Sequence, residues 1–138
     1  MKVSAKVQTD PNAHQVTVRT NDNSRALAIP PKSSGPGSSV NGGELLFAAL
    51  ATCYCNDIYR EVAKRGIEVV SVDVEVEGDF DAEGESAKKV QYRAKVAAQA
   101  SSEAIRALML HTDKVAEIQN TVRAAIPVVL SDIEAVSI

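Results

Sequence analysis

The sequence predicts an α+β fold in which strands and helices occupy separate stretches of the chain. Alternating apolar and polar residues, the pattern of a strand with one buried face, occur on both sides of one long helical segment. The resulting order, βββ-α-ββ-αα-β, groups strands with strands and helices with helices. A chain of 138 residues suits one domain, so we expect residues 1–138 to form a single unit.

The first strands alternate clearly and are separated by turn residues. Residues 2–9, 15–20 and 25–29 are predicted to form an antiparallel meander, with Asp10-Pro11-Asn12 as its first turn. Residues 30–39 contain three prolines and two glycines, which excludes a regular element. This segment is either a flexible linker or a loop that covers the start of the next helix.

The long helix is predicted from Asn41 to Gly66. Asn41 is a good N-cap, Glu44 lies at the spacing of a capping box, and Gly66 suits a left-handed end. Leu45 to Cys55 is apolar or small except for Thr52. A helix that is apolar all round is buried all round, so we expect protein to enclose its first half.

The second half of the chain predicts a hairpin, two helices and a last strand. Residues 67–78 and 89–99 alternate, with Val70, Val72, Val74 and Val76 expected to face inward. Ser101 or Ser102 is predicted to cap a helix, and His111-Thr112-Asp113 to break it and start another that Pro127 ends. Residues 128–136 are predicted to be a strand.

The composition excludes several classes of protein. A net charge of −3 argues against a nucleic-acid partner, and no apolar run approaches the ~20 residues of a membrane span. The N-terminal segment lacks the apolar block of a signal peptide, so we expect a cytoplasmic protein with reduced thiols. One chain of this size offers little material to enclose the long helix, and we therefore expect a homodimer.

Cys53 and Cys55 are the only cysteines, and both lie in the apolar half of the long helix. They are either small core residues or include a reactive thiol with a lowered pKa. Positions i and i+2 of a helix point about 200° apart, so the two sulfurs diverge and cannot form a disulfide without unwinding the helix. Two cysteines alone do not make a metal site, and we predict no metal and no cofactor.

The segment from Asn41 to Cys53, NGGELLFAALATC, resembles the helix motif of the OsmC/Ohr superfamily. These are the osmotically inducible and organic hydroperoxide resistance proteins, and the resemblance continues through the segment from Asp113 to Val122. It implies an intertwined α+β homodimer, with antiparallel sheets around a long central buried helix. It also implies thiol-dependent reduction of organic hydroperoxides at Cys53, with an external thiol reductant.

The sequence departs from the family pattern at three places. The family's resolving cysteine would fall at Ala116, and its catalytic glutamate would fall at Gly43, one residue before Glu44. The first hairpin holds His14 where the family has an activating arginine. Without those groups, burial is expected to disfavour a thiolate at Cys53.

Two functions remain open at this stage. The first is a hydroperoxide reductase that works through Cys53 alone, with Glu44 as a second candidate catalytic residue. Glu44 has an alternative role as a helix-start carboxylate that the helix dipole favours. The second is a non-catalytic OsmC-like dimer that binds a small apolar molecule at the subunit interface.

Overall fold

The computed structural model describes residues 1–138 and contains five strands and three helices. They are β1 (Val3–Asp10), β2 (Ala13–Thr20), β3 (Asn23–Leu27), α1 (Gly42–Ala63), β4 (Val69–Asp79), β5 (Lys88–Ala98), α2 (Ser102–Val115) and α3 (Glu117–Arg123). The α+β class and the order of these eight elements are confirmed. The chain divides into two compact units, Met1–Leu46 and Phe47–Ile138, and each is described by itself.

The first unit is an antiparallel meander followed by a closed loop. Strand β2 is central and pairs with β1 and β3, and its Val16 is opposite Val7 on one side and Leu27 on the other. The first turn forms because Asp10 Oδ1 accepts hydrogen bonds from the backbone N–H groups of the two residues at the turn's far side. Residues 30–39 close on themselves through a bond of 2.9 Å from Ser39 N to Pro30 O.

The capping box and the left-handed glycine that were predicted for the two ends of α1 are both present. Asn41 Oδ1 accepts the backbone N–H of Glu44 at 2.9 Å, and Glu44 Oε2 accepts the N–H of Asn41 at 2.7 Å. This reciprocal pair is the predicted capping box. Gly66 has φ +64°, the left-handed conformation expected of a residue that ends a helix.

The core of the second unit lies between the helices and one face of the β4–β5 hairpin. Tyr54, Ile58 and Val62 of α1 and Leu108 of α2 are buried together. They recur along α1 at spacings of four, which places them on one face of the helix. Partly buried side chains of the hairpin, including Val72, Val74, Tyr92, Ala94 and Val96, complete the cluster.

The single chain does not by itself enclose the first half of α1, in agreement with the expectation that one copy offers too little material. Leu45 and Leu46 each keep 38% of their surface exposed, and Ala48, Ala49 and Thr52 are exposed as well. The apolar sequence of this half therefore exceeds what the chain itself can cover.

The inward face of β4 also differs from the prediction at its beginning. Val69 is opposite Ala98 but Ser71 is opposite Ala97, so the register shifts between them. Such a bulge reverses the alternation of faces. Val70, which was predicted to face inward, is consequently 69% exposed, whereas Val69 packs against the core.

The helix break predicted at residues 111–113 is also misplaced. Helix α2 continues to Val115, and buried Thr112 donates from Oγ1 to the Leu108 carbonyl as a helical residue does. Ser101 caps α2, as predicted, by accepting the N–H of Ala104. The break falls at Ala116, which is extended and separates α2 from α3.

The strand predicted at residues 128–136 does not form in the single chain. The residues after Ala125 carry no regular structure, and all of them are exposed. An alternating segment becomes a strand only when it has an edge with which to pair.

None of the three helices has the length and the apolar content that a bilayer crossing requires.

Candidate functional site

Cys53 lies in a group of polar side chains that we call the Cys53 cluster: Cys53, Asp57, Arg60 and Glu117. The first three occupy positions i, i+4 and i+7 of α1 and therefore share one face of the helix. Glu117 is the first residue of α3. The short connection at Ala116 turns the chain so that this end of α3 lies beside α1.

Hydrogen bonds join the members of the Cys53 cluster. Cys53 Sγ donates to Asp57 Oδ2 at 3.3 Å. The Arg60 guanidinium lies 3.0 Å from Asp57 Oδ1 and 2.9 Å from Glu117 Oε1. Arg60 also donates to the backbone carbonyl of Val115 at 3.3 Å, so one arginine of α1 holds the end of α2 and the start of α3.

The surroundings of Cys53 keep it protonated. Partial burial raises the pKa of the Cys53 thiol, and the hydrogen bond to Asp57 and the charges of Asp57 and Glu117 raise it further. The backbone N–H of Ile118 acts in the opposite direction, because it stabilises the charged sulfur. The prediction that burial disfavours the thiolate is confirmed.

The two carboxyl groups of the cluster differ in their affinity for a proton. Burial raises the pKa of Asp57, although Cys53 and Arg60 lower it, and the neighbouring charge of Glu117 raises it again. The pKa of Glu117 is lowered, by its own backbone N–H and then by Arg60. Asp57 is therefore the better proton acceptor, and it is the group that touches the sulfur.

Three side chains of the Cys53 cluster are of types that can bind a metal ion. Cys53, Asp57 and Glu117 offer one sulfur and two carboxylate oxygens that lie within 4.8 Å of one another. The Arg60 guanidinium already contacts both carboxylates, so a cation would have to displace it. The nearest imidazole in α2, His111, is engaged at 3.2 Å with Glu61 instead.

Cys55 lies on another face of α1 and does not join this cluster. Both cysteines are free thiols, as the geometry of positions i and i+2 requires. Burial raises the pKa of Cys55 too, and the charge of Asp73 adds to the effect. A direct role for Cys55 in chemistry at Cys53 is therefore disfavoured.

The structure places Glu44 in the capping box, where one of its oxygens is already engaged with Asn41. This is the helix-start role that the sequence offered as the alternative. The catalytic role of Glu44 stays a prediction.

Cys53 is predicted from the sequence, whereas Asp57, Arg60 and Glu117 are not. A signal for the first two was present, since residues four and seven positions after Cys53 lie on its face of the helix. Glu117 lies 64 positions after Cys53 in the sequence, and no local pattern connects the two residues. Ala116, where the family would have its second cysteine, is fully buried.

The chain is similar to a known protein family and to several solved structures. The family model described as OsmC-like protein matches residues 35–131, which include α1 and the whole Cys53 cluster. The chain belongs to the OsmC-like family. No curated protein sequence matches this member of the family.

Solved OsmC-like structures share the fold of this chain. An OsmC-like protein from Mycoplasma pneumoniae is 15% identical, with a TM-score of 0.60 and 87% of each chain covered. An organic hydroperoxide resistance protein OsmC from Legionella pneumophila is 22% identical, with a TM-score of 0.58, and the match covers 89% of this chain and 90% of that one. An OsmC-like protein of unknown function from Vibrio cholerae is 17% identical, with a TM-score of 0.58 and coverage of 88% and 93%.

Proposed function

We propose that this OsmC-like protein reduces organic hydroperoxides through Cys53, with Asp57 as the proton acceptor. The observation that carries the proposal is the 3.3 Å contact between Cys53 Sγ and Asp57 Oδ2. A thiol must lose its proton to attack a peroxide, and a positioned carboxylate can take that proton as the attack proceeds. The similarity to an organic hydroperoxide resistance protein supports the choice of substrate.

The reaction follows from the contacts of the cluster. The Cys53 sulfur attacks the terminal oxygen of the hydroperoxide, and the S–H proton passes to Asp57 while the O–O bond breaks. The alcohol leaves after it accepts a proton from Asp57, and Cys53 becomes a sulfenic acid. Arg60 is a positioning residue, because it fixes the Asp57 carboxylate from the side opposite the sulfur.

An external dithiol completes the proposed cycle. Its first thiolate attacks the oxidised sulfur and forms a mixed disulfide with release of water. Its second thiolate displaces Cys53, which returns to the thiol. Because Cys55 points away from this cluster, the cycle needs no second cysteine of the chain.

The test is the loss of cumene hydroperoxide in the presence of dithiothreitol. Cys53→Ser is expected to abolish the protein-dependent rate, and the matched variant Cys55→Ser is expected to retain it. Equal rates for wild type and Cys53→Ser would contradict the proposal. Circular dichroism of each variant checks that the helices are intact.

The second candidate is a non-catalytic protein that binds a small apolar molecule. It is favoured by the raised pKa of both thiols and by a cavity of about 190 Å³ in the second unit. Its lining includes Leu50, Val76, Val90, Tyr92 and Val122. An inert Cys53 that resists peroxide, together with saturable binding of an apolar fluorescent probe, would favour this candidate.

We also propose that the protein forms a homodimer. Apolar side chains remain exposed at the start of α1 and along the C-terminal segment, including Leu45, Leu46, Val129, Leu130 and Ile133. A second copy would remove this surface from water. Sedimentation velocity is expected to give twice the mass of one chain, and a monomer at micromolar concentration would contradict the proposal.

A further inference from the structure

The cavity of about 190 Å³ in the second unit lies between α1, the β4–β5 hairpin and α3. Val90 and Val122 of its wall keep 41% and 42% of their surface exposed, so the wall reaches the protein surface and a ligand need not cross the core. Cys53 does not line this cavity. The wall is mostly apolar and includes Leu50, Val76, Val90, Tyr92 and Val122.

The side chain of Gln119 also lines the cavity and carries an acceptor without a partner. Gln119 lies on α3 and is only 3% exposed. Its Nε2 donates to the Leu50 carbonyl at 2.9 Å, whereas its Oε1 is buried and accepts no hydrogen bond from the chain. A buried acceptor that has no donor destabilises the fold, so this atom favours any ligand that brings one.

The orientation of the Gln119 amide follows from the group that it meets. A peptide carbonyl can only accept a hydrogen bond, so the amide atom that faces the Leu50 carbonyl must be the donor, Nε2. Turning the amide over would bring two acceptor oxygens together. Oε1 is therefore the atom that stays free, and its missing partner must be a donor.

The other polar side chains of the wall already have partners. Gln91 donates from Nε2 to Glu77, and the Tyr92 hydroxyl donates to Asp113. The Arg123 guanidinium lies 2.6 Å from the same Asp113 carboxylate. A buried water needs roughly two to four polar partners. One free acceptor among apolar groups suits a single donor on an apolar body better than it suits a water.

We propose that this cavity binds a small one-ring molecule with a single hydroxyl or N–H donor, such as a phenol, and that Gln119 Oε1 accepts its hydrogen bond. The inference rests on the second candidate function, binding of a small apolar molecule in this cavity, and adds the chemistry that recognises the ligand. An apolar cavity of about 150 Å³ takes up benzene, so about 190 Å³ holds one ring with a small substituent. The Tyr92 ring offers an aromatic surface to that ring.

The hydroxyl distinguishes the proposed ligand from a purely apolar one of the same shape. In a wall without a free acceptor, phenol would bind more weakly than benzene, because its hydroxyl would leave water and gain no partner. With Gln119 Oε1 as the partner, phenol is expected to bind more tightly than benzene. One buried hydrogen bond corresponds to a preference of up to about tenfold.

The test is an NMR titration of the isotope-labelled full chain with phenol and, separately, with benzene. Gln119→Leu is expected to remove the preference for phenol, because leucine has a similar size and no acceptor. The matched control is Gln91→Leu, which changes the other glutamine of the wall and is expected to keep the preference. Circular dichroism establishes that both variants are folded.

The wild-type chain provides a second readout that does not depend on any variant. Phenol is expected to shift the side-chain amide signals of Gln119 in a saturable manner and to leave those of Gln91 nearly unchanged. If Gln119→Leu does not fold, these signals and the comparison of phenol with benzene decide the matter.

The outcomes separate the chemistry of the ligand from the binding function itself. Saturable binding of benzene with equal or weaker binding of phenol would overturn recognition of a donor and leave an apolar binding cavity standing. Absence of saturable binding of both molecules would overturn both. A preference for phenol that survives in Gln119→Leu, or Gln119 amide signals that do not respond to phenol, would overturn the role of Gln119.

Discussion

Asp57 acts on the Cys53 sulfur in two opposing ways. As a negative charge and a hydrogen-bond acceptor, it raises the pKa of the thiol and keeps the sulfur protonated. As a buried carboxylate whose own pKa is raised, it is well suited to take the proton when the sulfur attacks. Simple thiol reactivity and peroxide reduction should therefore respond differently to its removal.

We predict that Asp57→Asn lowers the pKa of Cys53, because the variant lacks the charge that opposes the thiolate. Alkylation by iodoacetamide at neutral pH is expected to become faster, and peroxide reduction slower. The measurements use a Cys55→Ser background, with Asp73→Asn as the control, since Asp73 acts on Cys55. Parallel changes in both rates would show that Asp57 is not the proton acceptor.

The same reasoning gives the pH dependence of the unmodified site. Only the thiolate is alkylated, so the rate follows the ionised fraction of Cys53. The pKa of Cys53 is raised above 9.0, the ordinary value for a thiol. The alkylation rate in the Cys55→Ser chain is therefore expected to keep increasing with pH beyond pH 9.0. A rate that reaches its plateau near neutral pH would mean that another group, absent from the single chain, stabilises the thiolate.

At the scale of elements, the capping box of α1 separates the structural role of Glu44 from its predicted catalytic role. We expect Asn41→Ala to lower the free energy of unfolding by about 1 kcal/mol in urea titrations, because an N-cap is lost. Glu44→Gln can still reach back to the Asn41 N–H, so its stability should be close to that of the wild type. Loss of peroxide turnover in Glu44→Gln would establish a catalytic role, and full turnover would leave Glu44 as a capping residue.

Gly66 is the second element-scale test, at the other end of α1. Its φ of +64° is unfavourable for a residue with a Cβ, although no atom beyond the adjacent residues lies within 4 Å of the position that a Cβ would occupy. We expect Gly66→Ala to cost about 1 kcal/mol in free energy of unfolding, for conformational reasons alone. Gly42→Ala is the control, because Gly42 also has open space but does not have a positive φ.

At the scale of the whole molecule, Glu61 of α1 links this helix to α2. Its buried carboxylate lies 2.8 Å from Lys64, 3.2 Å from Arg60 and 3.2 Å from His111 of α2. Hydrogen bonding to Lys64, followed by that to Arg60, lowers the pKa of Glu61 from 4.5 to about 2 in the folded chain. A carboxylate with a depressed pKa stabilises the fold above its unfolded pKa, and the stabilisation is lost as pH falls towards the folded value.

We therefore predict that stability falls between pH 4.5 and about 2 and that Glu61→Gln flattens this part of the profile. Urea unfolding measured across the acidic range is the test. Glu83→Gln, in the exposed turn before β5, is the control and should leave the slope unchanged. An equal slope for wild type and Glu61→Gln would assign the acid sensitivity to other groups.

The local sequence was sufficient for most of the fold, because the signals involved act over a few residues. The capping box at Asn41, the positive φ of Gly66, the cap at Ser101 and the alternation in the strands all depend on neighbours in the chain. The predictions for Val70 and for residues 128–136 failed because their structure depends on segments far away in the sequence. The bulge that turns Val70 outward depends on the register with β5. The segment 128–136 pairs with no strand of the single chain.

By itself, the sequence determined the α+β class, the family motif and the position of Cys53 on α1. Only the tertiary structure decided what surrounds the sulfur. Arg60 and Glu117 are 57 positions apart and meet because α3 folds back onto α1 after the extended residue Ala116. The pKa of a thiol depends on charges, donors and burial within a few ångströms, and in this cluster those groups come from segments that no local pattern connects.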